Sequence, residues 1–368
     1  MHTYLEVSQA SILHNLKQFR RLIGQDKLLM PVVKSNAYGH GLVGVAKAID
    51  KSKLADKICV VNSEEALILK KNNIRSPIFI LSYWLLADIK KLLISGNNIE
   101  VAVYSLEQAK QLNILRKKIK IHIKVDTGTS RLGFVEQGFI ENVKKIAALP
   151  YLRITGIFTH YANSEEDNNF TREQTAQLKE IKKKLNESGI KTVYHAACSA
   201  AVLSNQDNYF DGLRLGISLY GFWPSLHSKR MANEKFPWLK LKPALVWKAK
   251  ILQIKKLAAN SFIGYGCTYL TKKKMKIAVV PVGYYEGYDR KLSNSGEVFC
   301  RNKKCPIIGR VCMNLMMVDV SKIKNIKTGD AVELLGKNIT AEEIAAKTDT
   351  INYEVISRIN PLLPRVYR

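Results

Sequence analysis

The chain lacks any long apolar run. No segment approaches the roughly 18 to 20 consecutive apolar residues that a membrane span needs, so a spanning helix is excluded and no membrane partner is expected. The opening stretch, MHTYLEVSQASILHN, has neither a basic n-region nor a continuous apolar h-region. No secretory signal is therefore expected, and a cytoplasmic location is the default. Cysteine is sparse and scattered (Cys59, Cys198, Cys267, Cys300, Cys305, Cys312), with no CxxC and no zinc-type Cys/His spacing. Reduced thiols are expected, most of them in small core positions, with no disulfides and no metal. Acidic residues are few, 31 against 58 Lys and Arg, for a formal net charge of +27. Such an excess raises the question of nucleic-acid binding. The lysines, however, are dispersed through amphipathic segments such as Glu180-Ile181-Lys182-Lys183-Lys184-Leu185, without zinc-finger spacing, an RNP-like aromatic motif or a basic arm. A solvated basic surface is the expectation, with no nucleic-acid partner. Low-complexity segments, short-period repeats and the glycine fingerprint of a dinucleotide site are absent too.

What is present is a chain of 368 residues with 46% hydrophobic content, enough for two domains or for one large barrel with an appendage. Residues 8–23 carry Ile12, Leu13, Leu16, Phe19 and Ile23 at helical spacing, with Ser8 as a candidate N-cap. Strand-like apolar runs follow at 29–34, 57–61, 78–81, 99–103, 120–125, 154–159, 193–197 and 212–217, separated by helical stretches such as 105–116, 136–148 and 171–187. Strand-then-helix repeated in this way fits a (β/α)8 TIM barrel better than an open doubly wound sheet, the runner-up. After Tyr220-Gly221 the texture changes. Residues 222–240 read as a long connection, and 243–360 as short β-rich runs with a short helix near 341–346. The expected division is a barrel over 1–235 and a C-terminal mainly-β domain over 236–368, to which the first few residues are able to pair.

In a barrel, chemistry sits at the carboxyl ends of the strands, and a phosphate site commonly follows the seventh and eighth. That rule selects Lys34, Lys124, Asp126, Arg131, His160, Ser199, Arg214, Gly216 and Ile217. Each has a plainer alternative. Lys34 is also readable as a lysine snorkelling from a strand end, and Asp126-Thr127-Gly128 as an ordinary turn. His160 is equally a satisfied core histidine, Ser199 a helix cap, and Arg214 the structural partner of a carboxylate. A lysine amine, a hydroxyl beside backbone amides and two arginines on one mouth suggest a phosphorylated aldehyde held as a Schiff base, which is pyridoxal 5'-phosphate chemistry.

Val33-Lys34-Ser35-Asn36-Ala37-Tyr38-Gly39-His40-Gly41 resembles the cofactor-lysine motif of the alanine racemase family. Lys124–Gly133, Phe158-Thr159-His160, Arg214–Gly221, Gly264–Tyr269, Gly309–Met313 and Thr350–Glu354 resemble further motifs of that family, in order, and the likeness continues to Pro364-Arg365-Val366-Tyr367. The resemblance implies a racemase interconverting L- and D-alanine for peptidoglycan synthesis, with Lys34 as cofactor lysine and base for the D-enantiomer. It implies Tyr265 as base for the L-enantiomer, helped through His160 and Arg214, and acting in the partner's site of a homodimer. It places the cofactor phosphate on Tyr38, Ser199, Gly216, Ile217 and Tyr353, and Arg214 at the pyridine nitrogen. Arg131 and the Met313 amide are implied for the substrate carboxylate, with Lys124 matching a lysine often carbamylated. Tyr284, Arg290, Arg310 and Ile351 match an access corridor. The departures are Cys198 for asparagine, Thr129-Ser130 for Met-Gly, Asn314 for aspartate, Tyr285-Glu286 for Ala-Asp, and Glu165 for aspartate. These bear on rate and amino-acid range. A broader amino-acid racemase, a non-catalytic pyridoxal-phosphate barrel and a basic nucleic-acid binder stay open as alternatives.

Overall fold

The structure, a computed structural model, describes all residues except 95, 97, 167 and 168. It contains two compact units: Ser11–Ala37 with Leu42–Lys242, and Met1–Ala10 with Tyr38–Gly41 and Pro243–Arg368.

The first unit is built on eight parallel strands: β2 (Leu28–Pro31), β3 (Ile58–Val60), β4 (Ile78–Ile80), β5 (Ile99–Val103), β6 (Ile119–Lys124), β7 (Leu152–Phe158), β8 (Val193–His195) and β9 (Gly212–Leu215). Strands β3 to β8 form one sheet in sequence order, and β2 pairs with β9. Parallel bridges Val32–Cys59 and Ala197–Leu213 join that pair to both edges, which closes the barrel. Strands β3 and β4 are apolar without alternation because both faces are covered, and β5 is likewise buried at every residue although it carries Glu100. Each fully buried Ile, Val or Phe side chain contributes about 1.5–3 kcal/mol. Helix Gln9–Ile23 buries Ile12, Leu16, Phe19 and Ile23, the same stripe its spacing predicts less Leu13. Strand ends fall within a few residues of the expected ones, with one instructive difference. The expected first strand runs to Lys34, but β2 stops at Pro31, and residues 35–38 are a left-handed turn with φ of 52–55°. Residues 222–240, expected as connection, hold a helix at Leu226–Lys235, whose start is capped by Ser225 Oγ accepting the Ser228 amide.

The second unit is mainly β. A six-stranded sheet runs in the order Lys303–Pro306, Glu297–Cys300, Ala331–Leu335, Leu245–Lys250, β1 (Thr3–Val7), Arg365–Tyr367. Thr3–Val7 thus pairs antiparallel with Leu245–Lys250 and parallel with Arg365–Tyr367. A three-stranded sheet (Gln253–Leu257, Met275–Val280, Met316–Asp319) and the ribbon Phe262–Ile263 with Tyr269–Leu270 complete it. The helix expected near 341–346 spans Ala341–Thr348 and opens with a reciprocal capping box between Thr340 and Glu343. Among the described residues no helix is long and apolar enough to cross a membrane, and no group of His, Cys, Asp and Glu is placed to hold a metal.

Candidate active site

Within the barrel unit, the residues selected by strand position converge at the carboxyl ends. Lys34 follows β2, Lys124 ends β6, His160 follows β7, Ser199 follows β8, and Arg214 lies in β9. Lys124, Ser199 and Arg214 are buried, while Lys34 and His160 are partly so. Burial first, and then the Arg131 charge, lowers the Lys34 amine from its ordinary value, against a raising effect of Glu65. Burial with the charges of Arg131 and Arg214 brings Lys124 down to about 8. Burial and the same cations hold His160 well below the usual imidazole range, so its ring is neutral. Four cationic side chains therefore share this mouth, with the carboxylates of Glu65 and Asp126 beside them. Such a site is complementary to a dianion.

Arg131 is exposed, but its loop is fixed. Asp126 Oδ1 accepts the amides of Gly128 (2.9 Å), Thr129 (2.8 Å) and Ser130 (3.2 Å), and Oδ2 accepts that of Arg131 at 3.0 Å. Burial pushes the Asp126 carboxyl up, yet these amides together hold it below its usual range. The turn is thus an anchored loop carrying Arg131. Gly133, with φ +139°, lets that loop close against β6: a Cβ there would meet the Asp126 nitrogen at 2.5 Å.

Ser199 Oγ accepts the amides of Gly216 (3.0 Å) and Ser218 (3.4 Å) at the head of a 3₁₀ turn, Ile217–Tyr220. It gathers backbone donors in the manner of an anion cradle. Among the described residues Arg214 pairs with no carboxylate. Its Nη2 donates to the carbonyls of Thr159 (2.7 Å) and Ala196 (2.9 Å) and lies 3.5 Å from His160 Nδ1; its Nη1 donates to His195 Nδ1 and to the His195 carbonyl. Its Nε makes no hydrogen bond among the described residues, which leaves one donor of a buried guanidinium for a ligand.

In the β-rich unit, the Tyr38 and Tyr353 rings lie 6.3 Å apart. The Tyr38–Gly41 segment is tied to the chain's end: Arg365 donates to the Gly39 carbonyl at 3.0 Å and Tyr367 Oη to the His40 carbonyl at 3.3 Å. Tyr265 is 73% exposed, on a tight turn between two glycines of positive φ, Gly264 and Gly266. Arg310 packs under that turn, its Cζ 2.9 Å from where a Gly266 Cβ would stand. Met313, Tyr284, Ile351 and Arg290 are exposed. The Met313 amide donates no hydrogen bond among the described residues, while its carbonyl accepts the Tyr285 amide at 2.9 Å. Two departures from the family pattern are partners here: Asn314 Nδ2 donates to Glu286 Oε1 at 2.8 Å, while Glu286 Oε2 takes the Gly283 amide.

Sequence reasoning gave no role to His195, at the end of the seventh strand run, and passed over Glu65, His122, Glu100 and Lys57, all in or beside the barrel. The visible signal was polar residues inside apolar strands, as in Ile119-Lys120-Ile121-His122-Ile123-Lys124 and Ile99-Glu100-Val101.

Residues 7–224 match the family described as alanine racemase, N-terminal domain, and 244–367 match alanine racemase, C-terminal domain. The chain is 38% identical to an alanine racemase of Methanococcus maripaludis over 377 residues, covering 99% of this chain and 98% of that protein. The solved alanine racemase of Clostridium difficile superposes with a TM-score of 0.93 at 34% identity, covering 100% of this chain and 96% of that one. The Bartonella henselae alanine racemase, solved with pyridoxal phosphate covalently bound, superposes with a TM-score of 0.88 at 27% identity over all of both chains. From its first barrel strand to its last β residues, this chain belongs to the alanine racemase family.

Proposed function

We propose that this racemase carries out its interconversion of L- and D-alanine with pyridoxal 5'-phosphate held at the barrel mouth, in the cytoplasm, as a homodimer that supplies D-alanine for peptidoglycan. The observation that carries the cofactor reading is the cationic mouth itself. Lys34, Lys124, Arg131 and Arg214 outnumber the carboxylates beside them. The hydroxyl hydrogen of Ser199, whose oxygen takes the Gly216 and Ser218 amides, and the leftover Arg214 Nε are donors for a phosphate and a ring nitrogen. Pyridoxal phosphate, when bound, withdraws electrons from the substrate Cα and acidifies its proton.

The chain's own residues do the rest. The lowered amine of Lys34 is suited to bond the cofactor and to move a proton at one face of Cα. Tyr265, exposed on its glycine-flanked turn, is assigned to the opposite face in a second copy of the chain. One base removes the proton and the other returns it, which inverts the centre. Ser199 with the Gly216 and Ile217 amides, together with Tyr38 and Tyr353, is assigned to the phosphate. Arg131 orients the substrate carboxylate with the Met313 amide. Neutral His160 beside Arg214 is suited to pass a proton to and from the second base. Lys124, carbamylated, would place an anion against Arg131. Tyr284, Arg290, Arg310 and Ile351 are assigned to the access corridor.

The test is incubation with L- and D-alanine, serine and lysine in deuterated water, following Cα exchange and inversion. Inversion of alanine with one deuterium gained per event is expected. Absence of inversion for every substrate overturns the assignment, and equal turnover of serine or lysine moves it to a broad-specificity racemase.

A further inference from the structure

Behind Arg214 a line of polar side chains crosses the barrel interior. Arg214 Nη1 bonds His195 Nδ1; His195 Nε2 lies 2.8 Å from His122 Nδ1; His122 Nε2 lies 2.5 Å from Glu100 Oε2; and Lys57 Nζ lies 2.5 Å from the same oxygen. Lys57 immediately precedes β3, so the line ends at the amino side of the barrel, opposite the site. Both imidazoles are fully buried. Phe158 stacks on His195 at 5.0 Å and 9°, and Phe79 lies 4.3 Å from the His122 ring. Gly156 makes the room, since a Cβ there would sit 2.1 Å from His122 Nδ1.

The direction of every bond in the line is forced. A guanidinium only donates and a carboxylate only accepts. His195 Nδ1 must therefore be the bare nitrogen, so His195 Nε2 carries the hydrogen and donates to His122 Nδ1. His122 Nε2 then carries its hydrogen toward Glu100. Two neutral rings in fixed tautomers connect one buried cation to one buried anion. Burial and the Arg214 charge lower His195 well below its ordinary value, and burial lowers His122, in keeping with neutral rings. A barrel interior is ordinarily filled by branched apolar side chains, and Arg214 already has three carbonyl acceptors. Neither packing nor the arginine's own hydrogen bonds call for the line. Hydrogen bonds in series polarise one another, so the charge at the far end is felt at the near end.

We propose that His195, His122 and Glu100 are positioning residues that aim Arg214 and, through this one-way chain, set how strongly it donates to the cofactor's ring nitrogen. The proposal rests on the pyridoxal phosphate reading above. The anionic end draws the Arg214 proton toward His195 and weakens the donor left for the ring, while Lys57 offsets that pull. The two ends therefore act with opposite sign.

The experiment loads the protein with pyridoxal phosphate labelled with ¹⁵N in the ring and records the solid-state resonance for wild type, Glu100→Gln and Lys57→Met. Glu100→Gln keeps an acceptor for His122 and removes the charge. Its resonance should move toward the protonated-pyridine value, and its ratio of racemisation to transamination should fall. Lys57→Met should move the resonance the other way. Shifts of the same sign, or none in cofactor-loaded variants, overturn the proposal, because a merely structural role has no sign. Should Glu100→Gln fail to fold, Lys57→Met at the partly exposed end decides alone. A wild type that takes up no cofactor overturns the underlying reading instead, and is distinguished by its missing signal.

Discussion

Glu65 clamps the backbone beside Lys34: its Oε1 accepts the Ser35 amide at 2.6 Å while its Oε2 accepts the Val61 amide at 2.9 Å. The clamp explains how four successive residues without a glycine, Ser35 to Tyr38, hold φ of 52–55°. Left-handed backbone costs roughly 1–2 kcal/mol per L-residue, so it persists only where its surroundings over-determine it. Asn36 helps by accepting the Leu42 amide at 2.9 Å.

Removing the clamp should therefore affect both fold and chemistry. Glu65→Ala leaves two amides without their acceptor and should cost about 1–3 kcal/mol in urea unfolding. Glu65→Gln keeps one acceptor oxygen and loses the charge that raises the Lys34 amine. Its amine should deprotonate at lower pH than in wild type. The rising limb of the pH profile for pyridoxal phosphate capture should move down, and an unmoved limb would separate Glu65 from Lys34 altogether.

Lys124 is lowered to about 8 by burial and by Arg131 and Arg214. A folded-state value of about 8 against 10.5 unfolded means that the charging penalty is full below pH 8 and is relieved as pH rises toward 10.5. Lys124→Met should stabilise the cofactor-free protein near neutrality and leave it unchanged above pH 10.5. The same lowering leaves free amine to take up carbon dioxide. With ¹³C-bicarbonate, a carbamate resonance should appear in wild type, weaken in Arg131→Met and vanish in Lys124→Met. Its absence from wild type at every pH through that midpoint would overturn the carbamylation of Lys124.

Gly266 has φ +72°, and an added Cβ would press on the Arg310 guanidinium at 2.9 Å. Gly266→Ala should cost about 1 kcal/mol or more, because both the conformation and the space are wrong for a side chain. It should displace Tyr265, its neighbour in the turn. Displacement of a reacting group by about 1 Å is able to cost on the order of 100-fold. Racemisation should fall steeply while cofactor absorbance stays, since the barrel residues are untouched. Loss of colour together with turnover would place the turn's role in folding instead.

All eight barrel strands were legible: runs such as 78–81 are continuous and apolar, as parallel strands covered on both faces are, and the strand-then-helix repeat placed 99–103 and 120–125, which carry Glu100 and His122. Strand order then led to Lys34, Lys124, His160, Ser199 and Arg214. The end of β2 was not legible. The string Val32-Val33-Lys34 reads as strand, and what turns the chain is Glu65, some thirty positions away. The helix at Leu226–Lys235 was missed because it buries only Ser228 and Ala232, so no apolar stripe marks it. The line behind Arg214 was half visible. His122 and Glu100 interrupt strands that should be apolar, but no local rule says that they meet, since His122 and His195 are 73 positions apart.

Glu100 supplies a last prediction, concerning acid. Burial pushes its carboxyl up, but the His122 hydrogen bond and the Lys57 charge outweigh that and hold it at about 2. The folded-state value lies below the ordinary 4.5, so the stabilisation is present above pH 4.5 and is lost as pH falls toward 2. A depression of that size corresponds to about 3 kcal/mol. The urea midpoints of wild type and Glu100→Gln should therefore differ near neutrality and converge as pH drops through that window. Glu141, whose pair with Lys144 is about half exposed, gives the contrast: Glu141→Gln should change stability by less than about 0.5 kcal/mol at any pH. A Glu100→Gln curve that runs parallel to wild type down to acid pH would show that its carboxylate is not held ionised by the fold, and that the buried line lacks its anionic end.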